Sequence, residues 1–186
     1  MSGATPGASS TGRTPATRWN AKSNCRLPRQ AETKPEGEPE MSTRTALDTV
    51  SEYVQALADK NIDRMLSLRA EAYVRDFAHT DIFHRGPVSS EESQRFWHAL
   101  FTAFPELDYE VSCTLAAEDV VATQWTFTAT NSRPVSPPIV PIDMEATGRT
   151  VKIRGATFYD VNDGLIERET MYTDLSTLFV ELGVNP

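Results

Sequence analysis

The chain has 186 residues, enough for one ordinary domain, with 39% hydrophobic residues and a formal net charge of −8. That apolar share supports a core and excludes wholesale disorder. The charge is uneven: residues 1–40 hold six Lys/Arg against four Glu, and 41–186 hold twelve against 22 Asp/Glu. A body this acidic is a poor match for a phosphate backbone, so nucleic acid is set aside as a partner. No apolar run reaches the length of about 18 residues that a membrane helix needs, which sets the membrane aside too. Cys25 lies in the polar tail and Cys113 in a predicted strand, so separate thiols in a reducing, cytoplasmic setting are expected.

In chain order, residues 1–40 carry five prolines and almost no large apolar side chains. They cannot bury enough surface to offset ordering entropy, and a disordered tail is predicted there. The periodic sequence starts at Met41, and 41–186 reads as one domain. Leu47, Val50, Val54 and Leu57 recur at helical spacing, and "NIDRMLSLRA" places Ile62, Met65, Leu66 and Arg69 on a second, shorter helix. The stretch "AYVRDFAHTDIF" (72–83) mixes strand and irregular character. Ser89, with Glu92 three residues on, forms a capping box. It opens an amphipathic helix carrying Phe96, Trp97, Leu100, Phe101 and Phe104, which Pro105 ends.

The period then switches to two. Strands are predicted over 107–117 and 118–131, followed by a long proline-rich loop over 132–149. A hairpin over 150–161 and 164–174 follows, and then a short terminal helix through Leu175, Leu178, Phe179 and Leu182, stopped by Gly183. Helices gathered on one face of a curved antiparallel sheet define an α+β domain with a cone-shaped interior.

Four stretches, "FWHALFTAFPELDYEV" (96–111), "EDVVATQWTFTAT" (118–130), "ATGRTVKIRGATFYDVNDGLIERE" (146–169) and "YTDLSTLFVELGV" (172–184), give the chain a likeness covering most of 45–184. It resembles the SnoaL-like polyketide cyclases, within the nuclear-transport-factor-2-like superfamily that also holds ketosteroid isomerase and limonene epoxide hydrolase. The resemblance implies the nuclear-transport-factor-2-like cone, a pocket for a small and mostly apolar molecule, no cofactor, and a homodimer formed through the sheet. It also implies an acid on the last strand and a histidine on the strand before it. Counted from the hairpin glycine, those positions hold Met171 and Thr157 here, and neither transfers a proton. The Asp-Arg-Asp triad of the epoxide hydrolases is not evident.

Other residues must therefore carry any chemistry. With Asn162, Asp163 and Gly164 as a three-residue loop, Tyr159 opposes Glu167 and Thr157 opposes Glu169. Thr157, Tyr159, Glu167, Glu169 and Met171 then share one face. If the Met171 face points inward, as the family implies, Glu169 sits in an apolar cone. A carboxylate held there resists ionisation, which suits a general base for carbon acids. The competing reading pairs Glu169 with an arginine such as Arg154 or Arg75. His79, oriented by Asp76 at a spacing of three, is the other candidate base. The His79/His84 spacing is too generic to indicate a metal, and none is expected. Trp125, Trp97 and Tyr73, with Tyr159, Met171 and Thr157, are the candidate substrate contacts. The expected function is a cofactor-independent cyclase or isomerase moving a proton in a small carbonyl substrate. A non-catalytic small-molecule binder of the same fold is the alternative, and an epoxide-hydrolase-like enzyme a further one.

Overall fold

A computed structural model describes residues 44–78 and 86–183. The tail expected over 1–40 lies outside the described residues, as do His79 and His84. The elements run α1 (Ala46–Ala58), α2 (Ile62–Ser67), β1 (Arg69–Phe77), β2 (Val88–Ser89), α3 (Ser90–Ala103), β3 (Leu107–Ala117), β4 (Val120–Thr130), β5 (Thr150–Asn162), β6 (Leu165–Thr173) and α4 (Leu175–Leu182). The strands form one six-stranded sheet in the order β2-β1-β6-β5-β4-β3.

Local chemistry sets the helix ends. Thr45 and Asp48 form a reciprocal capping box on α1, and Ser89 and Glu92 form another on α3. Each satisfies donors that the first turn would otherwise leave open, and is worth about 1 kcal/mol. Gly183 ends α4 in the left-handed conformation, at φ 84°. The apolar stripes then face the concave side of the sheet. Val50, Tyr53, Val54 and Leu57 of α1 are buried, as are Trp97, Leu100 and Ala103 of α3. Burying each large side chain contributes about 2 kcal/mol.

Two features of the sheet differ from the sequence expectation. The ladder is antiparallel from β3 through β6, but β1 runs parallel to β6, so the sheet is mixed. Helices and other strands connect β1 to β6, and no hairpin dictates their relative direction. The β5–β6 turn is also tighter than expected. Asn162 pairs with Leu165, leaving Asp163 and Gly164 as a two-residue loop with φ values of 49° and 74°. Positive φ at both positions is the type I′ geometry that matches strand twist, and Asp-Gly suits it. The ladder then shifts between Asp160 and Val161, where Glu167 is the extra residue of a bulge. Tyr159 therefore opposes Glu169, and Thr157 opposes Met171. Glu167, expected on the inner face, is exposed and accepts a hydrogen bond from Asn162.

The strand at Gly155 carries no side chain because Trp125 occupies that space. A Cβ there would lie 2.3 Å from the indole Cζ2. The proline-rich segment between β4 and β5 is held by Asn131. Its side chain accepts from the Thr147 backbone at 2.8 Å and donates to the Arg133 carbonyl at 2.7 Å. This clamp folds Val135, Ile139 and Val140 into the core. Cys113 on β3 is buried, and Cys25 lies outside the described residues.

Candidate functional site

The inner face of the cone has two parts. The narrow part is a buried polar chain. Glu169, on β6, is fully buried, and its Oε2 accepts from the hydroxyls of Tyr73 at 2.6 Å and Tyr53 at 3.0 Å. The Tyr53 oxygen in turn accepts from Arg69 Nη2 at 2.6 Å and Nε at 3.2 Å. Arg69 also donates to Ser93 Oγ at 3.2 Å, which ties the chain to α3. Such charge-assisted contacts are the strong ones in a low-dielectric interior. Burial, with Glu169 adding to it and Arg69 opposing it, pushes the Tyr53 hydroxyl up to about 12. Burial, followed by Glu169 and Tyr53, holds Tyr73 and Tyr159 well above the usual tyrosine range. Tyr109 rises likewise, from burial and then Tyr159. Burial works against the charge of Arg69, but Tyr53, Tyr73 and Glu169 outweigh it and strengthen the cation.

The wide part is a half-open cavity of about 80 Å³. That is the scale of a single ring, well below the several hundred Å³ of sites that hold drug-sized ligands. Its wall is aromatic and aliphatic, with Trp97, Tyr109, Trp125 and Phe127 prominent, and Pro138, Ile139, Leu175 and Leu178 at the loop and α4 side. Asp174 caps α4 by accepting from Ser176 and Thr177, and those bonds hold its carboxyl down at about 2.

Arg75 stands where the two parts meet. Its side chain is 1% exposed and lines the cavity. Its guanidinium carbon lies 4.6 Å from the Phe77 ring centroid, 4.2 Å from Phe96 and 4.6 Å from Trp97. Stacking of this kind attracts a cation without satisfying its N–H donors. Among the described residues, Nη2 reaches only the Met171 sulfur at 3.7 Å, and Nε approaches Glu169 Oε1 at 3.9 Å without a hydrogen bond. Nε and Nη1 have no hydrogen-bond partner among the described residues, and neither has Glu169 Oε1.

Among the residues singled out from sequence, Met171, Trp97 and Trp125 line the cavity. Thr157 stands behind Trp125 and accepts its indole N–H at 2.9 Å. Tyr73 belongs to the polar chain, and Tyr159 meets Tyr53 edge-on at 5.9 Å between ring centroids. Glu169 lies behind the cavity wall. Asp76 is not brought into this group: alternation along β1 turns it to the other face, where it pairs with Arg168 at 3.0 Å. Its expected partner His79 lies outside the described residues. Arg154 is exposed, so of the two arginines weighed as neighbours of Glu169 only Arg75 approaches it. Sequence reasoning overlooked Arg69, Tyr53 and Tyr109. Tyr53 belongs to the same helical stripe as Val50, Val54 and Leu57, and the alternation Arg69, Tyr73, Arg75 carried a strand signal that the helix reading of 62–69 obscured. Among the described residues no cluster of His, Cys, Asp and Glu could hold a metal ion. No helix among them is long and apolar enough to cross a membrane.

Curved sheet, covering helices and hollow interior together define a nuclear-transport-factor-2-like fold, and solved structures agree. AclR of Streptomyces galilaeus, a proposed hydroxylase, is 23% identical and superposes with a TM-score of 0.64 over 76% of this chain and 97% of its own. A proposed SnoaL-like polyketide cyclase from Jannaschia sp. CCS1 is 18% identical, with a TM-score of 0.64 over 81% and 100%. IdmH of Streptomyces antibioticus, a proposed polyketide cyclase, is 24% identical, with a TM-score of 0.60 over 75% and 99%. No curated protein matches the chain. The family model for SnoaL-like polyketide cyclases matches residues 50–182, and the chain belongs to that family.

Proposed function

We propose that the protein is a cofactor-independent cyclase or isomerase that moves a proton in a small, mostly apolar carbonyl compound. The observation that supports this reading is Arg75, a buried guanidinium with unused donors facing an aromatic cavity. A carbonyl oxygen placed on Nη1 gains charge as the adjacent carbon loses its proton. A fixed cation in a water-poor site favours that enolate over the neutral ketone. Glu169 is the proposed proton acceptor through Oε1, which lies 3.9 Å from Arg75 Nε and accepts no hydrogen bond among the described residues. The Tyr53 and Tyr73 hydroxyls hold the other carboxylate oxygen and fix its orientation.

The test is isomerisation of 3-cyclohexenone to the conjugated enone, followed by ultraviolet absorbance. Arg75→Gln and Glu169→Gln are each expected to lower kcat/KM at least a hundredfold, with Glu169→Gln acting on kcat. Loss of less than tenfold in both would remove the reading. A second reading, a binder that does not turn its ligand over, is favoured by one specific observation. The two positions where the family carries its acid and base hold Met171 and Thr157, and the Thr157 hydroxyl is engaged by Trp125. The homodimer expected from the family would use the outer sheet face, where Phe158 and Tyr172 are exposed and meet edge-on at 5.7 Å.

A further inference from the structure

We infer that the ligand of this cavity is a small single-ring acid bound as its anion, with the carboxylate or acidic enolate on Arg75 and the ring against the aromatic wall. The inference names the substrate class of the site described above and rests on that reading only for turnover, since binding stands apart from it. Two independent features support it.

The first is hydrogen-bond polarity. The unpartnered polar atoms on the cavity wall among the described residues are Arg75 Nε and Nη1, Trp97 Nε1 and the Tyr109 hydroxyl. Guanidinium and indole nitrogens only donate, and a phenol donates readily. The remaining hydroxyl on the wall, that of Thr173, already donates to the Arg154 carbonyl at 3.3 Å. The unpartnered nitrogens of the wall therefore only donate, and among its side-chain nitrogen and oxygen atoms just the Tyr109 and Thr173 hydroxyls can accept. A carboxylate brings acceptors alone, and its planar pair of oxygens suits the guanidinium fork. An amide of the same shape would bring two N–H donors with only those hydroxyls to receive them, and a donor left over would be buried unsatisfied.

The second is charge. The buried cluster holds two guanidiniums, Arg69 and Arg75, and one carboxylate, Glu169. Arg69 is locked to Tyr53 and Ser93, and Glu169 is already held by two phenols. The cluster therefore carries one net positive charge, and Arg75, which approaches Glu169 only at 3.9 Å, is the only charged side chain on the cavity wall among the described residues. An uncompensated buried charge is costly, and a ligand bearing one negative charge neutralises it where a neutral ligand does not. The cavity volume of about 80 Å³ restricts the bound part to about one ring.

The experiment is calorimetric titration of the full chain with benzoate and with its neutral isostere benzamide at pH 7.5, in parallel with Arg75→Met and Arg75→Lys. Folding of each variant is checked by circular dichroism and thermal melting. Benzoate is expected to bind at least tenfold more tightly than benzamide. That preference should vanish in Arg75→Met and return in part in Arg75→Lys. Equal binding of the two compounds, no binding of benzoate, or an undiminished preference in a folded Arg75→Met variant would each overturn the inference. The enone assay separates the two ideas. Benzoate binding without enone turnover leaves the acid site standing and removes the isomerase reading; turnover without benzoate binding does the reverse.

Discussion

Arg69 and Arg75 lie on the same strand, both are buried, and both approach the same carboxylate cluster. Arg69 donates to Tyr53 and Ser93, and its charge reaches Glu169 through a phenol. Arg75 has aromatic faces around it, a sulfur at 3.7 Å and a carboxylate oxygen too far for a hydrogen bond. One cation is built into the scaffold and the other is left with valence to spare. The contrast shows where a fold stores stability and where it reserves binding capacity. A side chain that is needed for packing is satisfied within the protein, and one that is held for a ligand is not.

The largest effect should come from removing the scaffold arginine. Arg69→Met leaves the Tyr53–Glu169 pair without its cation and is expected to cost about 3 kcal/mol in urea denaturation. Arg75→Met should change stability by no more than about 1 kcal/mol, because losing the ring contacts offsets relief from a poorly paired buried charge. Equal losses in the two variants would break the comparison. Next in size is Gly155→Ala. Its Cβ would meet Trp125 Cζ2 at 2.3 Å and the Tyr172 carbonyl at 2.7 Å, and such overpacking costs about 2 kcal/mol. The Trp125 signal in near-ultraviolet dichroism should shift, and ring binding should weaken while the polar chain stays intact. The last effect is alkaline. Tyr53 titrates at about 12 in the folded state against 10.0 unfolded. Its contribution is therefore complete below pH 10 and is lost as pH rises through about 12. The urea midpoint should fall across that window, with phenolate absorbance near 295 nm appearing as the protein unfolds.

Much of the framework could be read from the residues. The capping box at Ser89 and Glu92, the strand over Leu107–Ala117 and the stop at Gly183 follow from local chemistry, and each stands where expected. What escaped depends on distant partners. Asn162-Asp163-Gly164 serves equally as a three-residue loop or as a two-residue turn preceded by a paired asparagine, and only the twist of the whole hairpin decides. Likewise, Arg69 follows a short helical stripe closely enough to be read as its continuation, and pairing with Ile166 draws it into β1. In the site, parity placed Glu169 inside. The choice of Arg75 as its neighbour, and the phenols that hold it, came from two other elements, α1 and β1, whose packing no local pattern encodes.

The bulge at Glu167 has a consequence for how the hairpin finds its alignment. Were β6 to zip up beyond the turn without the extra residue, Arg168 would swing beneath the helices and Glu169 would face solvent, since side chains alternate. The interior would then gather three guanidiniums and no counter-ion. Misalignment thus penalises itself through repulsion, and one looped-out glutamate acts as a proofreader for which sign of charge is admitted to the hollow.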